Sequence, residues 1–208
     1  MIGTVIISAI IAFVLGIIAP TIILTKTDGK SSGITVTDIK KCEKQMRSTV
    51  YTPYAGRDVR DVALELDLDI IEVPDKDVDR ELGDKLSVLC PPNRQANKSA
   101  NGTIKYRNSP EKNFRIAHEI IHYLKDVGVG NKVSRAYGKD QKGSADKTYE
   151  EQIVDYMAAA LVMPFSNVAE DIQDGRTAKD LCEKYHQSET LVSRRLSEVC
   201  FLQQLRGF

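Results

Sequence analysis

Two of the chain's three histidines stand four positions apart, in the stretch FRIAHEIIHYLK, with a glutamate beside the first. On an α-helix, side chains at positions i and i+4 lie on one face. His118 and His122 can therefore present both imidazoles to one point, which suits a zinc ion bound through histidine nitrogens. Glu119 can then accept a proton from a water molecule that zinc has made more acidic. The pattern predicts a hydrolytic zinc site. It also fits an ordinary helix carrying two partly exposed histidines and a surface glutamate.

A catalytic zinc needs a third protein ligand and an open coordination position. The segment TYEEQIVDYMAAALVMP offers Glu151 and Asp155, again four positions apart on one helical face. We expect Glu151 to complete the zinc triad and Asp155 to accept a hydrogen bond from the far nitrogen of a ligating histidine. The paired glutamates also fit a solvated first turn favoured by the helix dipole. Asp155 is harder to explain in that way, because an unpaired charge in so apolar a segment is costly.

The two helical segments together resemble the ImmA/IrrE family of metallopeptidases. The family pattern has an aromatic residue and an alanine before an H-E-x-x-H helix, then a second helix reading E-x-x-A-N-x-F-A-x-x-L-L-M-P. The matching positions here are Phe114, Ala117, Glu151, Ala158, Leu161, Met163 and Pro164. The departures are Ile121 for Gly, Val154 for Ala, Asp155 for Asn, Met157 for Phe and Val162 for Leu. None of these departures removes an expected metal ligand.

The resemblance covers roughly residues 57–200 and carries functional implications. It implies that His118, His122 and Glu151 bind one zinc ion per chain and that Glu119 is the general base. It also implies a protein substrate, since family members often cleave a helix-turn-helix repressor. The uncharged apolar run at residues 1–25 departs from the usual soluble form of the family.

The remaining pattern predicts an α+β fold, in which a small early β-sheet packs with helices carrying a zincin-type active site. Ser109 is a candidate N-cap with Pro110 at the first helical position of the histidine helix. The glycine-rich stretch 127–147 predicts a long loop. Strands are expected at 69–73, 86–90 and 103–107, and further helices at 38–50, 57–67, 148–162, 166–173, 177–186 and 188–204. The last three form a helical C-terminal tail within a domain spanning 37–208.

Residues 1–25 contain no charged side chain and are long enough to cross a bilayer, which takes about 20 apolar residues. A cleaved signal peptide is the alternative, but no Lys or Arg precedes the run and no A-x-A-like site follows it. We therefore expect a transmembrane anchor at 1–25 and a linker at 26–36. Residues 26–50 carry six Lys or Arg against three Asp or Glu. Positive flanks stay in the cytoplasm, so we expect a single-pass protein of the cell membrane with a cytoplasmic catalytic domain. The four cysteines are then expected as free thiols.

Two other functions remain open at this stage. A zinc-binding sensor at the membrane could hold a regulator without cutting it, although such a module would not need Glu119. A membrane-tethered transcription regulator could use residues 177–198, which have the apolar spacing of a helix-turn-helix with Arg194 and Arg195 expected to be exposed. DNA readers need a basic face. The chain has equal numbers of basic and acidic residues, 29 each, and direct nucleic-acid binding is not expected.

Overall fold

The computed structural model describes residues 33–90, 92, 101–128 and 149–205, without the side chains of 126–128. The predicted transmembrane helix at 1–25 lies outside these residues, as does nearly all of the predicted loop at 127–147. Within the described parts of the chain, no helix combines the length and the apolar character that a membrane span requires. The described chain is α+β, as the sequence predicts, with a three-stranded sheet and eight α-helices in these residues.

The first half of the described chain contains the sheet. A capping box begins helix α1: the side chain of Thr35 accepts a hydrogen bond from the backbone N–H of Asp38, and the side chain of Asp38 accepts one from the backbone N–H of Thr35. Asp58 caps the start of the second helix through Arg60 N. The elements are α1 (Val36–Met46), α2 (Val59–Glu65), β1 (Leu68–Val73), a 3₁₀ turn (Asp75–Asp77), α3 (Val78–Glu81), β2 (Ser87–Cys90) and β3 (Gly102–Arg107).

The sheet has the strand order β1–β3–β2, with β3 parallel to β1 and antiparallel to β2. The last strand in sequence is thus the central one. It pairs Ile104 with Ile70 of β1 and with Leu89 of β2. Strand β2 lies at an edge of this sheet. In β3, Ile104 and Tyr106 on one face are buried, and on the other face Thr103 is buried while Lys105 is only partly buried.

Helices occupy the second half of the chain. Helix α7 begins with a second capping box, formed by Thr177 and Asp180, and Ser188 caps the start of α8 through Leu191 N. The elements are α4 (Lys112–Gly128), α5 (Tyr149–Val162), α6 (Phe165–Gln173), α7 (Ala178–Tyr185) and α8 (Glu189–Gln204). Helix α4 packs against the sheet, α2 and α5, and α5 in turn packs against α1.

Several expected boundaries are wrong. The first helix ends at Met46, four residues before the predicted 50, because residues 47–50 form turns. Helix α4 begins at Lys112, since the carbonyl of Ser109 accepts a bond from Lys112 N in a turn that precedes the helix. The sequence also missed α3, a single turn in a polar acidic segment without a helical apolar stripe.

The largest correction concerns Arg195, which was expected on an exposed helix face. Its side chain is fully buried, and its guanidinium reaches Glu43 Oε1 at 2.7 Å and Glu198 Oε2 at 3.2 Å. It also donates to Tyr156 Oη at 3.0 Å and to the carbonyl of Met163 at 2.9 Å. A buried charge requires such partners. Arg195 therefore fastens α8 to α1 and α5 and has no surface available for DNA.

Candidate metal centre

Helix α4 holds His118, Glu119 and His122 in the interior of the domain. Apolar side chains on more than one face of this helix are buried, because Ile116 and Ile120 are as fully buried as Ala117 and Ile121. The neighbouring helix and the sheet cover these residues from different sides. The polar motif thus lies on a helix that packing fixes in place, which is how a rigid fold positions a reactive group.

The ring nitrogens of the two histidines point to a common place. The Nε2 atoms of His118 and His122 lie 3.1 Å apart. Glu151, from the first turn of α5, places Oε2 3.2 Å from His118 Nε2 and Oε1 3.4 Å from His122 Nε2. The structure therefore brings together the three residues that the sequence selected as metal ligands, and this cluster could hold a metal ion.

Asp155 lies one helical turn beyond Glu151 on α5 and is hydrogen-bonded to Nδ1 of His118, the ring nitrogen that faces away from the cluster. The distance from His118 Nδ1 to Asp155 Oδ1 is 2.9 Å. With the proton on Nδ1 donated to this carboxylate, the lone pair of Nε2 faces the cluster. A carboxylate in this role fixes the tautomer and increases the basicity of a ligating imidazole.

The electrostatics of the cluster favour a positive charge at its centre. Burial disfavours the charged form of His118, but the hydrogen bonds to Asp155 and Glu151 outweigh burial and raise its pKa to about 9. The hydrogen bonds from His118 and His122 hold the pKa of Glu151 well below its usual range. Two imidazoles and two carboxylates packed together thus need a proton or a cation to balance their charge.

The donor set fits zinc. Ligand bonds of about 2.0–2.1 Å in a tetrahedral site place neighbouring donor atoms about 3.3 Å apart. The three separations of 3.1, 3.2 and 3.4 Å agree with that value. Two neutral nitrogens and one carboxylate oxygen are also donor types that zinc accepts, and three protein ligands leave a fourth position open. The side chain of His122 remains 27% exposed, so the cluster is reachable from solvent.

Glu119 is buried beside the cluster and has a partner that sequence reasoning missed. The hydroxyl of Ser87 on β2 donates to Glu119 Oε1 at 2.7 Å. No local signal could have indicated this bond, because the two residues lie 32 positions apart on different elements.

The third histidine and two tyrosines near the motif in sequence do not contribute to the cluster in the described residues. His186 is the left-handed C-cap of α7, with φ +52°, and is not part of the cluster. Tyr123 is buried in the hydrophobic core. Tyr137 lies outside the described residues. All four cysteines are free thiols.

Part of the sequence matches the model of a known family. No curated protein matches the chain. The family model of the IrrE N-terminal-like domain, Peptidase_M78, matches residues 104–197. This segment contains most of β3, from Ile104 onward, and both helices that carry the cluster. From Ile104 to Ser197 the chain is therefore similar to the Peptidase_M78 family, the ImmA/IrrE peptidases.

Proposed function

We propose that the protein is a zinc-dependent endopeptidase that hydrolyses a peptide bond in a regulatory, repressor-like protein. The observation that carries this proposal is the convergence of His118, His122 and Glu151 on one point beside Glu119. A structural zinc site usually has four protein ligands, whereas a catalytic site keeps one position open. The match of residues 104–197 to a peptidase family model supports the same function.

The residues of the chain have distinct roles in this reaction. Zinc, when bound, supplies Lewis acidity that polarises a peptide carbonyl and makes water more acidic. Glu119 accepts the proton of the attacking water and then gives it to the leaving amine nitrogen. Asp155 keeps the His118 ring oriented through the 2.9 Å bond to Nδ1.

The proposed substrate class rests on the family resemblance, and the proposed location in the cell rests on the sequence of residues 1–50. We propose that residues 1–25 tether the enzyme to the cell membrane with its domain in the cytoplasm, where a repressor would be reached. The apolar length of this segment and the positive flank at 26–50 support the tether.

Glu119→Gln tests the mechanism. The amide keeps the size of the side chain but cannot accept the proton, so we expect cleavage to fall by at least about 100-fold. Zinc content should stay near one ion per chain, since Glu119 is not among the three clustered ligands. Cleavage is measured by mass spectrometry on a proteome-derived peptide library with the zinc-loaded full chain. A Glu119→Gln protein that cuts as well as the wild type would rule the mechanism out, and intact peptides with wild-type enzyme would favour a binding module.

A further inference from the structure

Ser87 occupies a position that nothing in the motif requires. It is the first residue of β2, the strand at one edge of the sheet, and its hydroxyl lies 2.7 Å from Glu119 Oε1. Backbone pairing with Tyr106 of β3 fixes the main chain at this point. The next residue, Val88, packs on a separate small apolar cluster formed by Val73, Val78 and Leu82. The start of β2 is therefore held on more than one side.

The partner of this hydroxyl is a carboxylate that needs orientation. Glu119 is only 7% exposed, and burial of a carboxylate is costly unless it accepts hydrogen bonds. Its side chain has rotatable bonds that α4 alone does not fix. A hydroxyl donor gives a short, charge-assisted bond, and 2.7 Å is within the usual range for O–H···O contacts. The bond restrains one oxygen and so sets the plane of the whole carboxylate.

The bond to Ser87 gives the two carboxylate oxygens of Glu119 different roles. Because Ser87 donates to Oε1, this oxygen has an occupied lone pair and a fixed direction. Oε2 takes no part in the bond and is the oxygen available to receive a proton. Misplacement of a reacting group by a small distance can lower a rate considerably.

We propose that Ser87 is a positioning residue for the general base, holding the Glu119 carboxylate through Oε1 so that Oε2 exchanges the proton. The inference rests on the proposed peptidase function. It also gives β2 a role in the site, although that strand lies outside the segment that matches the family model.

The test uses the full chain with Ser87→Ala, Ser87→Thr and Ser197→Ala. Threonine retains the hydroxyl. Ser197, whose hydroxyl bonds the carbonyl of Ser193 on α8, is the matched control. We expect kcat of Ser87→Ala to fall roughly tenfold to hundredfold, as for loss of a hydrogen bond to a charged group, with KM little changed. Ser87→Thr should recover most of kcat, and zinc content should be equal in all four proteins.

A second readout does not depend on activity. In metal-free protein with ¹³C-labelled glutamate carboxyl groups, the Glu119 resonance is assigned by its loss in Glu119→Gln. We expect this resonance to shift between H₂O and D₂O in the wild type and in Ser87→Thr, because deuterium replaces the bridging proton. The shift should be absent in Ser87→Ala.

The outcomes separate the two proposals. Wild-type kcat in Ser87→Ala, or no isotope shift in the wild type, would overturn the role of Ser87 while the peptidase function stands. Equal impairment of the alanine and threonine variants with loss of zinc would show a structural role and overturn the inference. A zinc-loaded wild type that cleaves nothing would overturn the peptidase function itself, and the positioning role with it, whatever the isotope shift shows.

Discussion

At the scale of single residues, the two adjacent glutamates at the start of α5 have different environments. Glu150 is exposed, whereas Glu151 is partly buried and lies within 3.4 Å of both histidine Nε2 atoms. Both carry the charge that a helix N-terminus favours. Only Glu151 has the geometry of a ligand. The helix dipole accounts for two glutamates in the first turn of α5, but it does not account for the position of the Glu151 side chain beside the histidines.

This difference predicts the outcome of a matched substitution. Glu151→Ala should weaken zinc binding by at least about 100-fold, because it removes one of three ligands, and Glu150→Ala should leave the affinity within about twofold. Zinc at 100 times its Kd adds about 2.7 kcal/mol to the stability of the folded state. Chelation should therefore lower Tm of the wild type and of Glu150→Ala but not of Glu151→Ala, measured by calorimetry. Equal zinc affinity in the two variants would contradict the assignment of the third ligand.

At the scale of elements, a buried charge network joins three helices. Arg195 of α8 pairs with Glu43 of α1 and donates to Tyr156 of α5, and Tyr156 also donates to Glu43 Oε1 at 2.6 Å. Burial raises the pKa of Glu198 although Arg195 opposes this, and burial also raises the pKa of the Tyr156 hydroxyl. Tyr156 follows Asp155 directly, so the network fixes α5, the helix that carries the candidate ligand Glu151 and the His118 partner Asp155.

Two neighbouring arginines test the importance of burial. Arg195→Met removes the cation that pairs with Glu43 and Glu198 and leaves these two carboxylates buried without it. This substitution should lower the free energy of unfolding by about 3–5 kcal/mol. The side chain of Arg194 is 43% exposed, and Arg194→Met should cost no more than about 1 kcal/mol. Urea unfolding of the metal-free proteins measures both. Similar losses for the two variants would show that the network contributes little. Adding Glu43→Gln to Arg195→Met should recover part of the loss.

At the scale of the whole molecule, the domain extends beyond the segment that matches the family model. One hydrophobic core runs from Cys42 and Met46 in α1 through α4 and α5 to Val199 in α8. The backbone N–H of Ile34, just before α1, also donates to Gln152 Oε1 at 3.1 Å, next in sequence to Glu151. The chain that follows the proposed membrane tether is therefore hydrogen-bonded to α5, the helix that carries the candidate ligand Glu151.

The proposed tether predicts a defined topology. With residues 1–25 crossing the membrane and the positive flank inside, green fluorescent protein fused after Phe208 should fluoresce and alkaline phosphatase fused there should be inactive. The full chain should pellet with membranes after carbonate washing, and a variant lacking residues 1–25 should not. An active phosphatase fusion would place the domain on the opposite side of the membrane and contradict the proposed site of action.

Much of the site was predictable from sequence because its main spacings are local. The i, i+4 pairs His118/His122 and Glu151/Asp155 define two helical faces without knowledge of the fold. The capping boxes at Thr35 and Thr177 likewise lie within four residues of chain. Strong apolar periodicity located α5 and the three C-terminal helices to within one or two residues.

Only the tertiary structure decided which distant groups meet. It placed β3 between β1 and β2, brought Ser87 to Glu119 across 32 positions, and buried Arg195 against Glu43 across 152 positions. A serine at the start of a strand and an arginine on an amphipathic helix have the same local sequence signal whether they face solvent or a carboxylate. The sequence by itself thus determined the candidate metal ligands and the helices that carry them. The packing of those helices against the sheet determined how the base is held, because contacts across the chain have no local periodicity.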